Sequence, residues 1–471
     1  MIPVTTYAHR RVAVFGLARS GLASVRALLA GGAEVWAWDD GDKSRAQAES
    51  EGVALTDLKA ADWSGLAALV LAPGVPLTHP RPHWTVERAK ALDIPVIGDT
   101  ELFFLEHRHR RAQAKIVAIT GTNGKSTTTA LTAHVLGEAG LRVALGGNIG
   151  EAVLGLADFD STDAYVLEMS SYQIDLSPAF TADAAALLNV TPDHLDRHGT
   201  IEHYAAVKER LVANAGTAVI GVDDDYCRAI AARRRAHGGG LVTITIDPAS
   251  TSADDTLVAD GMTALRRRDG RTETLGNLDG IPALRGLHNM QNALTAIALA
   301  SAITPDRPIA DHIAACRSFP GLAHRLQPVG RIGDVLFVND SKATNADSTE
   351  KALASFPGGI YWILGGRAKA GGITALEAYF PRIARAFLIG EASDAFAATL
   401  DGKVAYERCG RLDVAVARAA EVAAAAPSSR SEKVVLLSPA CASFDQFPDF
   451  EKRGEAFVDI VRRLERVKGG G

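Results

Sequence analysis

Short apolar runs alternate with longer amphipathic stretches along most of the chain. In the N-terminal part, Arg11 to Phe15, Glu34 to Trp38, Leu66 to Leu71 and Ile94 to Ile97 are brief, rich in β-branched or aromatic residues, and predict strands. Leu22 to Ala30 predicts an apolar helix that Gly31-Gly32 stops, and Ala72-Pro73-Gly74-Val75-Pro76 predicts a turn. The polar, Arg- and His-rich segment Glu106 to Ala114 breaks the rhythm and reads as a linker. Lys115 to Ile119 is then a strand running into a glycine loop and a helix from Ser126, with further strands at Ala164 to Leu167, Ala184 to Leu188 and Ala218 to Val222. Leu241 to Thr274 alternates polar and apolar residues around the turn dipeptide Asp269-Gly270, and His288 to Ala300 is an Ala/Leu-rich helix. Pro320-Gly321 marks a second boundary. Beyond it Val335 to Val338, Tyr361 to Leu364, Ala386 to Ile389 and Lys433 to Leu437 complete the strands. Strands separated by helices argue for parallel sheets with helices on both faces. The fold class is therefore α/β, three units in series, divided as 1–105, 106–320 and 321–471.

The length of 471 residues fits three domains of ~150 residues. With 50 Lys+Arg against 55 Asp+Glu the net charge is −5, and without a basic stripe nothing draws the chain to nucleic acid. Cys227, Cys316, Cys409 and Cys441 lie far apart, so neither a disulfide framework nor a zinc knot is implied. No apolar run approaches the ~18 residues that cross a bilayer. Arg10-Arg11 before Val12 to Phe15 imitates a twin-arginine signal, but Gly16, Arg19 and Gly21 break the run. A cytoplasmic protein without membrane or nucleic-acid partners is expected.

Candidate chemistry begins at Gly121-Thr122-Asn123-Gly124-Lys125-Ser126-Thr127, between a strand and a helix. Glycines there let backbone approach phosphates, helix-terminal amides face the anion, Lys125 reaches the outer phosphates, and the Ser126 hydroxyl suits Mg²⁺. The pattern G-x-x-x-x-G-K-[ST] is incomplete, because Ile119 stands at its first glycine. Glu168 closes a predicted strand in Leu-Glu-Met-Ser-Ser-Tyr-Gln, the position of a Mg²⁺ ligand beside a phosphate loop or of a surface cap. Asn189-Val190-Thr191-Pro192-Asp193-His194-Leu195-Asp196 closes another, giving Asp193 and His194 a metal or proton-transfer role. By pattern alone Lys208 is a solvated helix lysine. Gly16-Leu17-Ala18-Arg19-Ser20-Gly21, with Asp39 after the next strand, nearly matches the dinucleotide fingerprint and leaves an NAD site open.

Taken with His288-Asn289-Met290-Gln291-Asn292, these motifs resemble those of the Mur ligases, the ATP-dependent amino-acid ligases that build the peptidoglycan stem peptide. Val338 to Asn345 and Leu437 to Phe447 resemble the D-glutamate-adding branch, and the similarity spans essentially the whole chain. The resemblance implies a Rossmann-like N-terminal unit, a central P-loop ATPase-like unit and a Rossmann-like C-terminal unit. It implies ATP and Mg²⁺, with D-glutamate and UDP-N-acetylmuramoyl-L-alanine as small-molecule substrates, and a monomer is expected. Gly121 to Thr127 would hold the ATP phosphates, with Asn292 on adenine, Arg325 on the phosphates and Asp340 on the ribose. Ser126 and Glu168 would serve one Mg²⁺, His194 and a carbamylated Lys208 a second. Gly16, Leu17, Ala18, Arg19, Asp39, Gly74, Asn148, Ser170, Gln173 and His194 would face the UDP-linked substrate. Lys342, Thr344, Lys369, Ser443, Phe444 and Phe450 would line the D-glutamate pocket.

By the same resemblance the expected reaction is ligation through an acyl phosphate, a cytoplasmic step of cell-wall synthesis, with Lys125, His194, Lys208, Arg325 and Lys342 as catalytic residues. Competing readings are a sibling ligase with another amino acid or a folate, a nucleotide-sugar sensor, and an NAD-dependent dehydrogenase.

Overall fold

Three separate sheets organise the chain in the computed structural model, which describes residues 1–250, 254–368, 371–427 and 432–469. β1 (Arg11–Phe15), β2 (Glu34–Trp38), β3 (Leu66–Leu71) and β4 (Val96–Ile97) form an all-parallel sheet in the order β2-β1-β3-β4. The second sheet holds β5 (Lys115–Thr120), β6 (Val143–Gly147), β7 (Ala164–Glu168), β8 (Ala184–Leu187), β9 (Thr217–Gly221), β10 (Gly240–Thr245), β11 (Asp255–Asp260), β12 (Thr263–Arg268) and β13 (Arg271–Asn277). Its order is β13-β12-β11-β10-β9-β8-β5-β7-β6, parallel except for the β11-β12-β13 edge. Asp269-Gly270 is the hairpin turn there, as its sequence required.

The third sheet comprises β14 (Gln327–Ile332), β15 (Val335–Asn339), β16 (Ile360–Gly365), β17 (Ile383–Ile389), β18 (Tyr406–Gly410) and β19 (Lys433–Leu437). The order is β14-β15-β19-β16-β17-β18, with β14 alone antiparallel. β15, β16 and β19 are buried along their whole length, which is why they read as continuous apolar runs.

Two compact units emerge: Met1–Asp279 with Asn289–Ser318, and Gly280–His288 with Phe319–Gly471. The first contains the first two sheets, and one buried apolar cluster runs from Ile2 and Val12 through Phe103 to Val190 and Ile220. The expected linker is corrected at its start. Glu106 to His109 are the last turn of the helix Asp99–His109, and Glu106 is fully buried. Its carboxylate accepts from Thr5 Oγ1 (2.7 Å), Thr6 N (2.9 Å) and Thr6 Oγ1 (2.6 Å), so a polar residue is satisfied by partners remote in sequence. Cys227, Cys316 and Cys441 are buried and Cys409 half-buried, none of them in a disulfide. Among the described residues no helix is long and apolar enough to cross a membrane.

Candidate active site

Two neighbouring strands deliver the chemistry of the first unit. β5 ends at Thr120 and runs directly into the glycine loop, and its Ile119 pairs with Glu168 at the end of β7. Gly124, the cap of the helix Lys125–Glu138, is left-handed (φ 85°), and a Cβ there would stand 2.4 Å from Asn292 Oδ1. Asn292 is 4% exposed; its Oδ1 accepts from Thr128 Oγ1 (3.1 Å) and its Nδ2 donates to Asn289 (3.0 Å). Here the expected adenine contact buttresses the loop. Asn189, which sequence reasoning did not single out within the stretch Asn189 to Asp196, braces the other side. Its Oδ1 accepts from Asn123 N at 2.8 Å and its backbone carbonyl from Thr122 N at 2.9 Å.

Lys125 Nζ donates to Gly121 O and Thr122 O, both at 2.9 Å, and Lys208 Nζ donates to the same Gly121 O at 2.9 Å and to Thr120 Oγ1 at 3.2 Å. Ser126 is buried at the same helix start, with Thr127 half-buried. Lys208 overturns the solvated reading, being 1% exposed against the Tyr204 ring. Burial and then the Lys125 charge lower its pKa well below the ordinary lysine value. The spacing did carry a signal, since Tyr204, Lys208, Leu211 and Val212 share the buried face of the helix Ile201–Ala213.

Glu168 is 2% exposed. Its Oε1 accepts from Asn148 Nδ2 at 2.7 Å, and its Oε2 is buried without a hydrogen-bond partner. A buried carboxyl oxygen left open at the end of the strand next to a phosphate-type loop, with the Ser126 hydroxyl at the helix start, is the oxygen donor set a hard divalent cation takes. The residues present therefore fit Mg²⁺. His194 is left-handed (φ 53°), its Nε2 lies 3.5 Å from Asp193 Oδ2, and its ring sits 5.1 Å from Tyr172. Ser170 and Gln173 are spent on each other, forming the capping box of the helix Ser171–Asp175.

The N-terminal loop is a tight turn between β1 and the helix Arg19–Ala30. Gly16 (φ 93°) would clash with Ala72 if it carried a Cβ, and Leu17 N donates to Asp39 Oδ2 at 2.8 Å. Ala18 caps the following helix and Arg19 opens it. The Arg19 guanidinium donates to Gly150 O and, at 3.5 Å, to Asn148 O, joining this loop to the second sheet. Arg197 Nη1 does the same for the other edge, donating to Gly74 O at 2.9 Å.

The second unit gathers its own set. Arg325 lies between two left-handed residues, His324 (φ 63°) and Leu326 (φ 42°). Asp340, 7% exposed just after β15, accepts from Leu326 N (3.1 Å) and Ser438 Oγ (2.8 Å), and burial pushes its carboxyl up to about 7. Lys342 Nζ lies 3.7 Å over the Phe450 ring, and Thr344 N donates to Lys342 O. Ser443 is buried, Phe444 is 64% exposed, and Lys369 lies outside the described residues. Sequence reasoning missed Arg453. It is 1% exposed and clamps the Ser341 and Cys441 segments through four hydrogen bonds of 2.8 to 3.1 Å. A single arginine on an amphipathic helix gave no pattern signal.

The phosphate-type loop with its strand-end carboxylate, on these sheets, defines a class. Two family models match the chain, the Mur ligase middle domain over residues 119–300 and the Mur ligase glutamate ligase domain over residues 324–441. The chain belongs to the Mur ligase family. It is 56% identical over 470 residues to the UDP-N-acetylmuramoylalanine--D-glutamate ligase of Chelativorans sp. (strain BNC1), covering 99% of this chain and 98% of that one. The protein of the same name from Brucella abortus (strain 2308) is 54% identical over 469 residues, with the same coverage. Among solved structures, the UDP-N-acetylmuramate-alanine ligase of Thermotoga maritima shares the fold at a TM-score of 0.57 and 18% identity, covering 97% of this chain and 100% of that one.

Proposed function

We propose that this chain joins D-glutamate to UDP-N-acetylmuramoyl-L-alanine at the expense of ATP, through an acyl phosphate, in the cytoplasm where its nucleotide substrates are made. The observation that carries the reading is the pair of lysines, Lys125 and Lys208, meeting at Gly121 O just past β5, whose neighbour β7 ends in Glu168 with its open Oε2. The alanyl carboxylate and the γ-phosphate of ATP are both anions, so their approach needs fixed positive charge and oriented dipoles. The amides of residues 124–127 at the helix start supply the dipoles, and Lys125 turns from its two carbonyls to the outer phosphates. Mg²⁺, held by Ser126 and Glu168 and by His194 with a carbamylated Lys208, would neutralise phosphate charge. Carbamylation needs a neutral amine, which the depressed pKa of Lys208 provides, and it converts a cation into a carboxylate-like ligand.

Once the acyl phosphate forms, the D-glutamate amine attacks its carbonyl and phosphate leaves. Asn148, Gly74 and the Gly16 to Arg19 loop orient the UDP-linked substrate in this reading, with Asp39 tying that loop down. Ser170 and Gln173 reach the substrate only by opening their capping box. Arg325 and Asp340 take the nucleotide, and Lys342, Thr344, Lys369, Ser443, Phe444 and Phe450 the D-glutamate. The divisions 1–105, 106–320 and 321–471 are kept for these three duties, in a monomer.

An amino-acid panel tests the assignment. With ATP, Mg²⁺ and UDP-N-acetylmuramoyl-L-alanine, ADP release should require D-glutamate and match amide formed one to one. Equal turnover with L-alanine, diaminopimelate or no amino acid overturns it. Nicotinamide nucleotides should not bind at Gly16 to Gly21.

A further inference from the structure

Outside the strand-end site, three successive elements of the first unit bring metal-type donors together. Asp175 ends the helix Ser171–Asp175, His198 ends the short helix Leu195–His198, and His203 lies in the first turn of Ile201–Ala213. One donor atom from each lies within 4.8 Å of both others. His198 is 2% exposed, with Nε2 against Ser171 Oγ at 2.9 Å and Nδ1 buried without a hydrogen-bond partner. A buried nitrogen left without a hydrogen-bond partner is costly and requires an explanation.

We propose that Asp175, His198 and His203 form a binding site for a transition-metal ion, with Zn²⁺ the fitting occupant. Two imidazoles and one carboxylate are a three-ligand Zn²⁺ set, leaving water the fourth tetrahedral position. Mg²⁺ and Ca²⁺ seek oxygen and find one carboxylate here, so they compete poorly. The rest of the donor chemistry is in place. The tautomer in which Nε2 donates to Ser171 Oγ is the one that leaves a lone pair on the unpartnered Nδ1, and the ring is held flat on Tyr172 (8° between planes, centroids 5.4 Å). Arg210 occupies Asp175 Oδ1 at 3.0 Å, leaving Oδ2 for the ion.

Burial, followed by His203, His194, Lys208 and Arg197, lowers the His198 pKa to about 4, so protons do not compete for its lone pair near neutrality. The guanidinium groups of Arg197 and Arg210 nearby oppose an incoming divalent ion, which favours one that forms strong bonds to nitrogen. Ligands on a tetrahedral ion with bonds of about 2.0–2.2 Å stand roughly 3.4 Å apart, so closure needs a movement of roughly an ångström. His203 is exposed and turns without disturbing the core. Occupancy would pin the segment that carries His194 to the helices that start beside Ser170 and carry Lys208.

The test uses the full chain in excess Mg²⁺, which occupies the strand-end positions, with Zn²⁺ titrated by calorimetry. One Zn²⁺ per chain should bind and raise the unfolding temperature, and Co²⁺ in its place should show the strong visible bands of a tetrahedral ion. His203→Ala should weaken Zn²⁺ at least about tenfold and abolish the thermal shift, while the metal-free protein unfolds at the wild-type temperature. Asp175→Asn should repeat the loss. Equal Zn²⁺ affinity in wild type and His203→Ala, or no Zn²⁺ binding above the Mg²⁺ background, overturns the site. None of these readouts depends on ligase activity.

Discussion

Lys208 is the residue where burial and chemistry meet most sharply. A lysine 1% exposed, sharing one carbonyl with a second lysine, is held with its amine tending toward neutrality. Lys208→Met keeps the volume and removes the buried amine. Its stability should stay within about 1 kcal/mol of wild type, while ligation falls by at least about a hundredfold. Thermal melts and turnover check this, and a short added carboxylate should restore part of the rate in Lys208→Ala. Asp340 makes a pH prediction. Its folded pKa of about 7 lies above the ordinary value of 3.8, so the folded state holds its proton more tightly. That contribution is full below about 4 and lost as pH rises to about 7, at no more than about 1.4 kcal/mol per pH unit. Chemical denaturation of wild type against Asp340→Asn should show this slope in the difference, and a flat difference from pH 4 to 7 would refute it.

At the scale of elements, the loop and the strand ends were legible because their chemistry is local. Strand, glycines, lysine and helix are contiguous, so the strand-loop-helix arrangement around Gly121 to Thr127 was readable from sequence order alone. Long-range satisfaction was not legible. Glu106 looked like linker because the threonines that pair with it lie a hundred residues away, and Arg453 gave no signal because its carbonyl partners come from two other segments. The capping box that Ser170 and Gln173 form was also not read from the sequence, although Ser170-x-x-Gln173 has its spacing. Two substitutions test element-level claims. Gly124→Ala forces a side chain into a left-handed position against Asn292 and should cost about 1–3 kcal/mol, with a parallel loss of ATP affinity measured by calorimetry. Arg19→Met cuts the tie from the N-terminal loop to Gly150 and Asn148. It should raise KM for the UDP-linked substrate about three- to tenfold and leave KM for ATP unchanged.

For the whole molecule, α/β architecture was readable from alternating strands and helices, and Asp269-Gly270 marked the β12-β13 hairpin, while the antiparallel pairings β11-β12 and β14-β15 were the part periodicity left out. Apolar runs identify buried strands but not their neighbours or direction. The first two sheets share one buried cluster that spans residue 105, a continuity that chain order does not display. Function at this scale rests on one chemical event, the attack of a substrate carboxylate on the γ-phosphorus of ATP. Labelling both oxygens of the alanyl carboxylate with ¹⁸O and analysing released phosphate by mass spectrometry tracks that event directly. One ¹⁸O per phosphate released, with D-glutamate present, is the predicted result; phosphate free of label beside a fully formed amide would contradict it.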